Sequence, residues 1–309
     1  MWRSETLLSR LYRGADSNGS AIRVRCFPLF NETSVLKLQI ESCRMFEYII
    51  IIESKVSHVG KPKPIIFWPD AYRNHPSTFI HVVLEEVDLN IPKDMDENSK
   101  AWWRDRYQKI IGLEKGVQRI RELYKNPTEL TILASDCDEI IQYDKFESGV
   151  DILRQNSSSL VGFEMDKSKW YFRQFNITWP ENWLSAALLF KLSSKETVQS
   201  RIQNPAHGKI DMSGHDRHNI IIPYYTHKIQ DAGYHLSYFG EERQEKWHNF
   251  ADWDGKQRDT GPRVTHKENP HSEIAAYGHG NKIWTDGPIL PPACRSNPLI
   301  CESLTVQPR

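Results

Sequence analysis

The run Tyr48-Ile-Ile-Ile-Ile-Glu53 constrains the fold more than any other segment of the chain. Consecutive β-branched residues without polar alternation predict a β-strand that is buried on both faces. Strands of this kind are typical of sheets that carry helices on both sides. We therefore expect an α/β protein with this strand at the centre of its sheet.

The segments around this strand predict the same fold class. Between positions 21 and 135, predicted strands alternate with helical or loop segments, as in a mostly parallel sheet covered by helices. The strands are predicted at Val24 to Phe30, Tyr48 to Glu53, Phe79 to Val83 and Leu130 to Ala134. A long amphipathic helix is predicted from Trp103 onward. The acidic segment Glu85 to Lys100 before it is expected to be a surface loop that closes over a ligand.

The pattern changes after position 135. The aromatic-rich segments Leu160 to Glu164 and Trp170 to Phe175 are predicted to pair as antiparallel strands, and Tyr234 to Phe239 is predicted as a third strand. From position 255 onward, Gly-Pro, Pro-Pro and Asn-Pro dipeptides predict an extended tail. We expect one domain over residues 21–254, with residues 255–309 packed on it as a tail.

The charge balance limits the classes of partner. The chain has 40 Lys and Arg against 40 Asp and Glu, so it has no net field to attract polyanions, and we expect neither nucleic acid nor an anionic membrane as a partner. No apolar run approaches the ~18 residues of a membrane-spanning helix. The charged N-terminal segment lacks the apolar stretch of a secretory signal, and the 5 scattered cysteines do not form a disulfide framework. These features predict a cytoplasmic protein with reduced cysteines.

An acidic motif, Asp136-Cys137-Asp138-Glu139, directly follows the predicted strand that ends at Ala134. An Asp-x-Asp sequence in an extended turn can point both carboxylates to one side, and such oxygen ligands suit Mg²⁺ or Mn²⁺. Ligands of open α/β sheets bind beyond the carboxyl ends of the strands. The alternative is an acidic turn that caps a helix beginning near Ile140. The preceding strand and the absence of a basic residue nearby in the sequence strengthen the case for a metal site, and both interpretations stay open.

A set of motifs occurs in consistent order between about Arg25 and Asp254. They are Cys26-Phe-Pro-Leu-Phe-Asn-Glu32, Ile51-Ile-Glu-Ser54 followed by Gly60-Lys-Pro-Lys-Pro64, the helix with Trp103 and Arg106, Ser135-Asp-Cys-Asp-Glu-Ile140, and Asp231-Ala-Gly-Tyr-His-Leu-Ser-Tyr-Phe-Gly240. In this combination the chain resembles glycosyltransferase family 17, the bisecting β-1,4-N-acetylglucosaminyltransferases that act on the β-mannose of N-glycans. The resemblance implies a GT-A fold: a Rossmann-like nucleotide-sugar domain with a mixed, mostly parallel sheet, a metal-binding Asp-x-Asp motif and inversion at the anomeric carbon.

The resemblance also implies a metal site. Asp136 and Asp138 would hold Mn²⁺ or Mg²⁺ against the donor diphosphate, which we expect to belong to a UDP-sugar. Glu139 would cap the next helix or hydrogen-bond a ligand of the ion. The chain departs from the family pattern at the position of the third metal ligand. Both His248 and Asp252 stay candidates for that position.

Further roles follow from the same resemblance. The expected general base is Glu241 or Glu242, with Glu164 and Asp231 as alternatives. The expected donor-binding residues are Pro28, Phe30, Asn31, Glu53, Lys61, Arg106, Asp136, Gly233 and His235. Apart from the resemblance, the many aromatic residues of the later part of the chain offer Trp183 or Trp247 as the residue that stacks on the acceptor sugar.

Alternatives to these donor-binding roles stay open. They are a solvated strand-end acid for Glu53, solvent exposure for Lys61, a structural ion pair for Arg106 and a core histidine for His235. Arg104, two positions from Arg106, is expected to face solvent.

The predicted activity is transfer of a sugar, such as N-acetylglucosamine, from a UDP-sugar to a hydroxyl of an oligosaccharide or glycoprotein. One alternative is a Mg²⁺-dependent phosphodiesterase or nucleotidyltransferase, which would require a second carboxylate group for a two-metal site. Another is a non-catalytic carbohydrate-binding protein with a degenerate transferase fold. Animal members of the family are anchored in the Golgi, whereas no export signal or membrane span is expected in this chain. The expected source is therefore a bacterium, or a virus that glycosylates in the host cytoplasm.

Overall fold

The structure is a computed structural model that describes residues 21–124, 127, 129–165, 171–172, 177–178, 183–202, 225–236 and 282–283. The strands are β1 (Ile22–Pro28), β2 (Tyr48–Ser54), β3 (Thr78–Leu84), β4 (Glu129–Ala134), β5 (Glu139–Ile141), β6 (Val161–Met165), β7 (Tyr171–Phe172), β8 (Ile177–Thr178), β9 (Trp183–Ser193), β10 (His227–Ile229), β11 (Gly233–His235) and β12 (Lys282–Ile283). The α-helices are α1 (Thr33–Ser42), α2 (Glu97–Leu123), α3 (Tyr143–Gln155) and α4 (Val198–Ile202). Short 3-10 turns span Pro69–Tyr72 and Glu86–Leu89. Of the helices in these ranges, none combines the length and the apolar character needed to cross a bilayer.

The main sheet has 7 strands in the order β10-β6-β9-β4-β1-β2-β3. β1 is parallel to β2 and β4, β2 is parallel to β3, and β6 is parallel to β10. β9 runs antiparallel to both β4 and β6. The sheet is therefore mixed and mostly parallel, and the predicted α/β class is confirmed.

The isoleucine run forms β2, and all of its residues are buried as predicted. Because side chains alternate along a strand, Ile50 and Ile52 pack against α2 on one face, while Ile49 and Ile51 face the cluster that contains α1 and α3 on the other. The predicted central position is wrong. β2 lies next to the edge strand β3, because the chain adds β2 and β3 outward on one side of β1 and places β4 on the other.

The order of the strands reverses between β1 and β4. The connection from β1 to β2 carries α1 on one face of the sheet, and the connection from β3 to β4 carries α2 on the opposite face. The carboxyl ends of β1 and β4 lie side by side, with their connections leading away to opposite faces. Such a switch point opens a crevice at the carboxyl ends of the strands.

Two sequence predictions about the later strands require correction. β6 does not pair with β7; it pairs with β9 and β10 in the main sheet, whereas β7 pairs with β8 in a separate sheet of 3 strands. β6 is an almost wholly buried strand and needs partners on both edges, which the long β9 and the short β10 provide. The third predicted strand is shorter than expected among the described residues, and as β11 it pairs with β5.

Helix α2 begins at Glu97, before its predicted start at Trp103. The part of the segment Glu85 to Lys100 that precedes the helix is attached to it by several contacts. Leu89 is buried, and its carbonyl accepts a hydrogen bond from Trp103 Nε1 at 2.7 Å. Asp88 pairs with Lys115 at 2.7 Å. The first part of the segment is therefore anchored to α2, whereas residues 90–96 are mostly exposed, as predicted for a surface loop. Its closure over a ligand stays a prediction.

Helix α2 approaches β2 closely because two of its residues are glycines. A Cβ added at Gly112 would lie 2.4 Å from a side-chain carbon of Ile52, and one at Gly116 would lie 2.6 Å from a side-chain carbon of Ile50. Both isoleucines are buried in the core cluster, so they have little freedom to move away.

We expect Gly112→Ala to destabilise the protein by about 1–3 kcal/mol, because overpacking against Ile52 outweighs the gain of up to about 1 kcal/mol in helix propensity. Denaturant unfolding measures this difference. Gln118→Ala, at an exposed position of the same helix, is the control and should change stability by less than about 0.5 kcal/mol. Equal or higher stability of the glycine variant would contradict the close approach.

Candidate functional site

A cleft lies at the carboxyl ends of β1 and β4, where the strand order reverses, and α2 forms its wall. Its cavity volume is about 20 Å³, which is room for about one water molecule, so a larger ligand would have to extend from it along the open edge of the sheet. Most of its lining is apolar, with Cys26 and Ile52 from the sheet and Leu113 from the helix as examples, and its polar residues are Lys109, Ser135 and Asp136.

The acidic motif forms the loop between β4 and β5, next to this cleft. The predicted alternative, a turn that caps a helix near Ile140, is wrong because strand β5 follows the loop and α3 begins only at Tyr143. Glu139 is fully buried in β5, and its carboxylate accepts a hydrogen bond from the backbone amide of Asp136 at 3.1 Å. Glu139 therefore closes the motif loop and does not cap a helix.

The loop that contains the acidic motif is held in place by Arg25, a residue of β1 that is only 2% exposed. The Arg25 guanidinium donates to the carbonyl of Leu133 at 3.0 Å, to the carbonyl of Glu139 at 3.3 Å and to the hydroxyl of Ser135. Gln39 of α1 donates to the same Glu139 carbonyl at 3.2 Å. The sequence reasoning missed Arg25, although a charged residue inside an otherwise apolar strand was a signal for it.

The two motif aspartates have different surroundings. The side chain of Asp136 is 34% exposed, and its Oδ1 lies 2.7 Å from Lys109 Nζ. Asp138 is buried, with Oδ1 3.6 Å from Nε2 of His235. Burial raises the pKa of Asp136; Lys109 opposes this shift, while Asp105 and Asp138 add to it. The two motif carboxylates are thus close enough to interact.

Lys109 corrects the expectation that no basic residue neutralises the motif. It comes from α2, far away in the sequence, and contacts Asp105 Oδ1 at 3.2 Å as well as Asp136. Burial alone would lower the pKa of Lys109, but the two carboxylates outweigh it and raise the pKa. For Asp105, burial alone would raise the pKa, but Lys109, His58 and Arg106 lower it.

The arginines at the start of α2 are both buried. Arg104, expected in solvent, donates to Glu86 at 2.9 Å and to the carbonyl of His58 at 3.1 Å. That expectation is wrong because the anchored segment before α2 brings an acid to it. Arg106 lies near Asp105, whose pKa its charge lowers. The binding of Arg106 to a diphosphate stays a prediction.

Glu53, at the end of β2, is fully buried, so the alternative of a solvated acid is wrong. Its carboxylate accepts hydrogen bonds from the backbone amides of Ile66 and Phe67, both at 2.9 Å, from His81 at 2.9 Å and from Lys63 at 3.2 Å. Burial alone would raise the pKa of Glu53, but these donors lower it. Glu53 thus anchors the loop of residues 61–67, and a ribose hydroxyl would have to displace one of its donors.

The remaining donor-binding candidates lie along the same edge of the sheet. Pro28 ends β1 opposite Ile52 of β2. In the turn that follows, the backbone amides of Phe30 and Asn31 donate to Glu32, and the ammonium of Lys63 lies 5.6 Å from the centre of the Phe30 ring. Lys61 is exposed, as its alternative predicts.

Strand β11 brings Gly233 and His235 beside the motif loop. His235 pairs with Glu139 in the antiparallel register, and the amide of Leu236 donates to the carbonyl of Asp138 at 2.8 Å. A Cβ at Gly233 would lie 2.0 Å from the carbonyl oxygen of Ile140. The glycine is therefore needed for the approach of β11 to β5, a structural role that the sequence did not predict.

Five of the predicted site residues lie outside the described residues. They are Glu241, Glu242, Trp247, His248 and Asp252.

Three other candidates for the acceptor side and for the base are placed by their backbone. Trp183 begins β9, opposite Met165 of β6. The carbonyl of Glu164 accepts from the amide of Ala232, and Asp231 has a positive φ of 52° next to β11.

The motif fits a divalent ion by its donor chemistry. Mg²⁺ commonly takes one or two carboxylates from a protein and completes its shell with water and phosphate oxygens. Asp136 and Asp138 offer two interacting carboxylates beside the cleft. Within the described part of the chain, no group of three or more His, Cys, Asp or Glu side chains could hold a metal.

Comparison of the sequence with known protein families and with curated proteins finds no match. The resemblance to glycosyltransferase family 17 therefore stays a prediction that depends on the motifs themselves.

We expect Glu53→Gln to destabilise the protein by about 3–5 kcal/mol, because it breaks a buried, charge-assisted cluster. Because the pKa of Glu53 is lowered in the folded state, its stabilising contribution is complete above the ordinary glutamate value of 4.5 and is lost as the pH falls below it. Denaturant unfolding at several pH values should show a weaker acid dependence for the variant.

Glu85→Gln is the matched control, because Glu85 pairs with Lys55 at a site where both side chains are about half exposed. We expect this change to cost less than about 1 kcal/mol. Equal effects of the two substitutions would contradict the anchoring role of Glu53.

We expect Arg25→Met to destabilise the protein by about 2–5 kcal/mol, since it leaves several buried acceptors without their donor. The control is Arg23→Met, on the same strand, whose partner is the partly exposed Glu147. That pair should contribute about 1 kcal/mol or less. Thermal unfolding of both variants measures the difference, and a smaller loss for the Arg25 variant would contradict its role.

Proposed function

We propose that this protein is a metal-dependent, inverting glycosyltransferase that moves a sugar from a UDP-sugar to a hydroxyl group of a glycan. One observation carries the proposal: the Asp136–Asp138 motif directly follows β4 and borders a cleft at the switch point of the sheet. Nucleotide ligands of open α/β sheets bind at such points. The motif order that resembles glycosyltransferase family 17 supports the same conclusion.

In this proposal, Asp136 and Asp138 hold Mn²⁺ or Mg²⁺. The ion supplies positive charge against the diphosphate that departs from the sugar. The protein supplies a fixed position for the two carboxylates, because Arg25, Gln39 and Glu139 hold the backbone of the motif loop. A site that is ordered before the ligand binds does not have to be reorganised during the reaction.

The nucleotide is proposed to lie along the carboxyl ends of β1 and β2. Phe30 and Asn31 follow β1 and would contact the base or the ribose. Glu53 contributes by ordering the loop that contains Lys61, through its hydrogen bonds to the amides of Ile66 and Phe67. Its own contact with a ribose hydroxyl stays part of the proposal.

The acceptor side of the site belongs to later parts of the chain. An inverting transfer requires a base that takes the proton of the acceptor hydroxyl as its oxygen attacks the anomeric carbon. Glu241 or Glu242 is proposed for this role, and Trp183 and Trp247 are proposed to stack on the acceptor sugar.

Calorimetric titration of UDP with and without Mn²⁺ tests the proposal. We expect Mn²⁺ to tighten UDP binding by at least about tenfold, about 1.4 kcal/mol, and Asp138→Asn to remove this dependence. Transfer from a UDP-sugar should be lost in the same variant.

Asp151→Asn, an exposed position on α3, is the matched control and should bind as the wild type does. UDP binding that is independent of Mn²⁺ would contradict the proposal and favour a carbohydrate-binding protein. Metal-dependent cleavage of phosphodiesters without sugar transfer would favour the phosphodiesterase alternative.

A further inference from the structure

Lys109 lines the cleft and pairs with Asp136, but the proposed function gives it no role. Its ammonium lies 2.7 Å from Asp136 and 3.2 Å from Asp105, and its side chain is 17% exposed. Among the residues that line the cleft, all within the described chain, Lys109 is the basic one.

Two other basic residues near the carboxyl edge of the sheet are held by structural partners. Arg104 pairs with Glu86, and Lys63 with the fully buried Glu53. Lys109 differs because one of its partners, Asp136, belongs to the motif that is proposed to bind the ion. The ion pair between Lys109 and Asp136 thus occupies the position that a divalent ion would use.

A divalent ion on Asp136 would change the surroundings of Lys109. Two cations on the same carboxylate repel each other, so we expect the ammonium to move away from Asp136 when the ion arrives. Asp105 is one helical turn before Lys109 on α2 and already contacts its ammonium at 3.2 Å, so it can serve as the partner of Lys109 in that state. The ammonium therefore stays at the cleft and has one side open to a new anion.

We propose that Lys109 binds the diphosphate of the donor, after release from Asp136 by the divalent ion. This inference rests on the proposed function, since it deepens the use of the same site. A lysine acts on phosphate as a compact point charge that can follow a small displacement, which suits a residue that exchanges one anionic partner for another. In the absence of the ion, Lys109 neutralises the motif and competes with metal binding.

Two effects of opposite sign are expected from Lys109→Gln. Mn²⁺ alone should bind at least about 3-fold more tightly, because its competitor for Asp136 is gone. Inorganic diphosphate at saturating Mn²⁺ should bind at least about 10-fold more weakly, because a charge-assisted hydrogen bond is lost. A structural ion pair alone would lower the melting temperature without this opposite pair of shifts.

The experiment uses the full chain, with Mn²⁺ binding followed by electron paramagnetic resonance and diphosphate binding by calorimetry. Lys115→Gln is the matched control, because Lys115 lies on the same helix and pairs with Asp88 away from the cleft. Lys109→Arg keeps the charge and provides a second comparison if the glutamine variant does not fold. We expect the arginine variant to bind diphosphate within about 3-fold of the wild type.

The outcomes separate this inference from the proposed function. Unchanged diphosphate affinity in Lys109→Gln overturns the inference, and so does a wild-type protein that does not bind diphosphate. If the diphosphate affinity of Lys109→Gln is unchanged but the wild type binds UDP in a metal-dependent way, the proposed function is retained and only the inference about Lys109 is wrong. If the wild type binds diphosphate through Lys109 but shows no preference for UDP, the inference stands and the proposed donor is wrong.

Discussion

The buried guanidinium of Arg25 is the interaction on which the carboxyl edge of the sheet depends. A buried charge is tolerated only where its donors find acceptors, and Arg25 finds them on β4, in the motif loop and on β5. These acceptors must stay in place for the charge to remain buried, so the guanidinium fixes the path of the chain from β4 through the acidic motif. The position of the proposed metal site thus follows from a residue of β1.

The other charges near the cleft are also balanced by residues that are distant in the sequence. Lys109 of α2 meets Asp136 after β4, and Lys63 meets Glu53 at the end of β2. Each of these acids is fully or partly withdrawn from water, so each requires a nearby cation or hydrogen-bond donor. A chain with no net charge can therefore have a strongly charged site, because its compensation is local.

The sequence predicted those elements that depend on a local pattern. The apolar run at β2 and the periodic residues of α2 reveal a buried strand and an amphipathic helix because each pattern follows the geometry of its own element. The pairing of β6 was predicted wrongly, because strand pairing depends on which edges the rest of the sheet leaves open. Arg104 was placed in solvent for a related reason: its partner Glu86 comes from a separate turn.

The sequence by itself determined the α/β class, the doubly buried strand and the position of the acidic motif after β4. The resemblance on which the proposed donor depends is also read from the sequence alone, and it stays a prediction. Only the tertiary structure decided that Glu53 anchors a loop, that Glu139 closes the motif loop and that Lys109 neutralises Asp136. The physical reason is that hydrogen bonds and ion pairs act over a few ångströms in space, whereas the residues that form these contacts can be far apart along the chain.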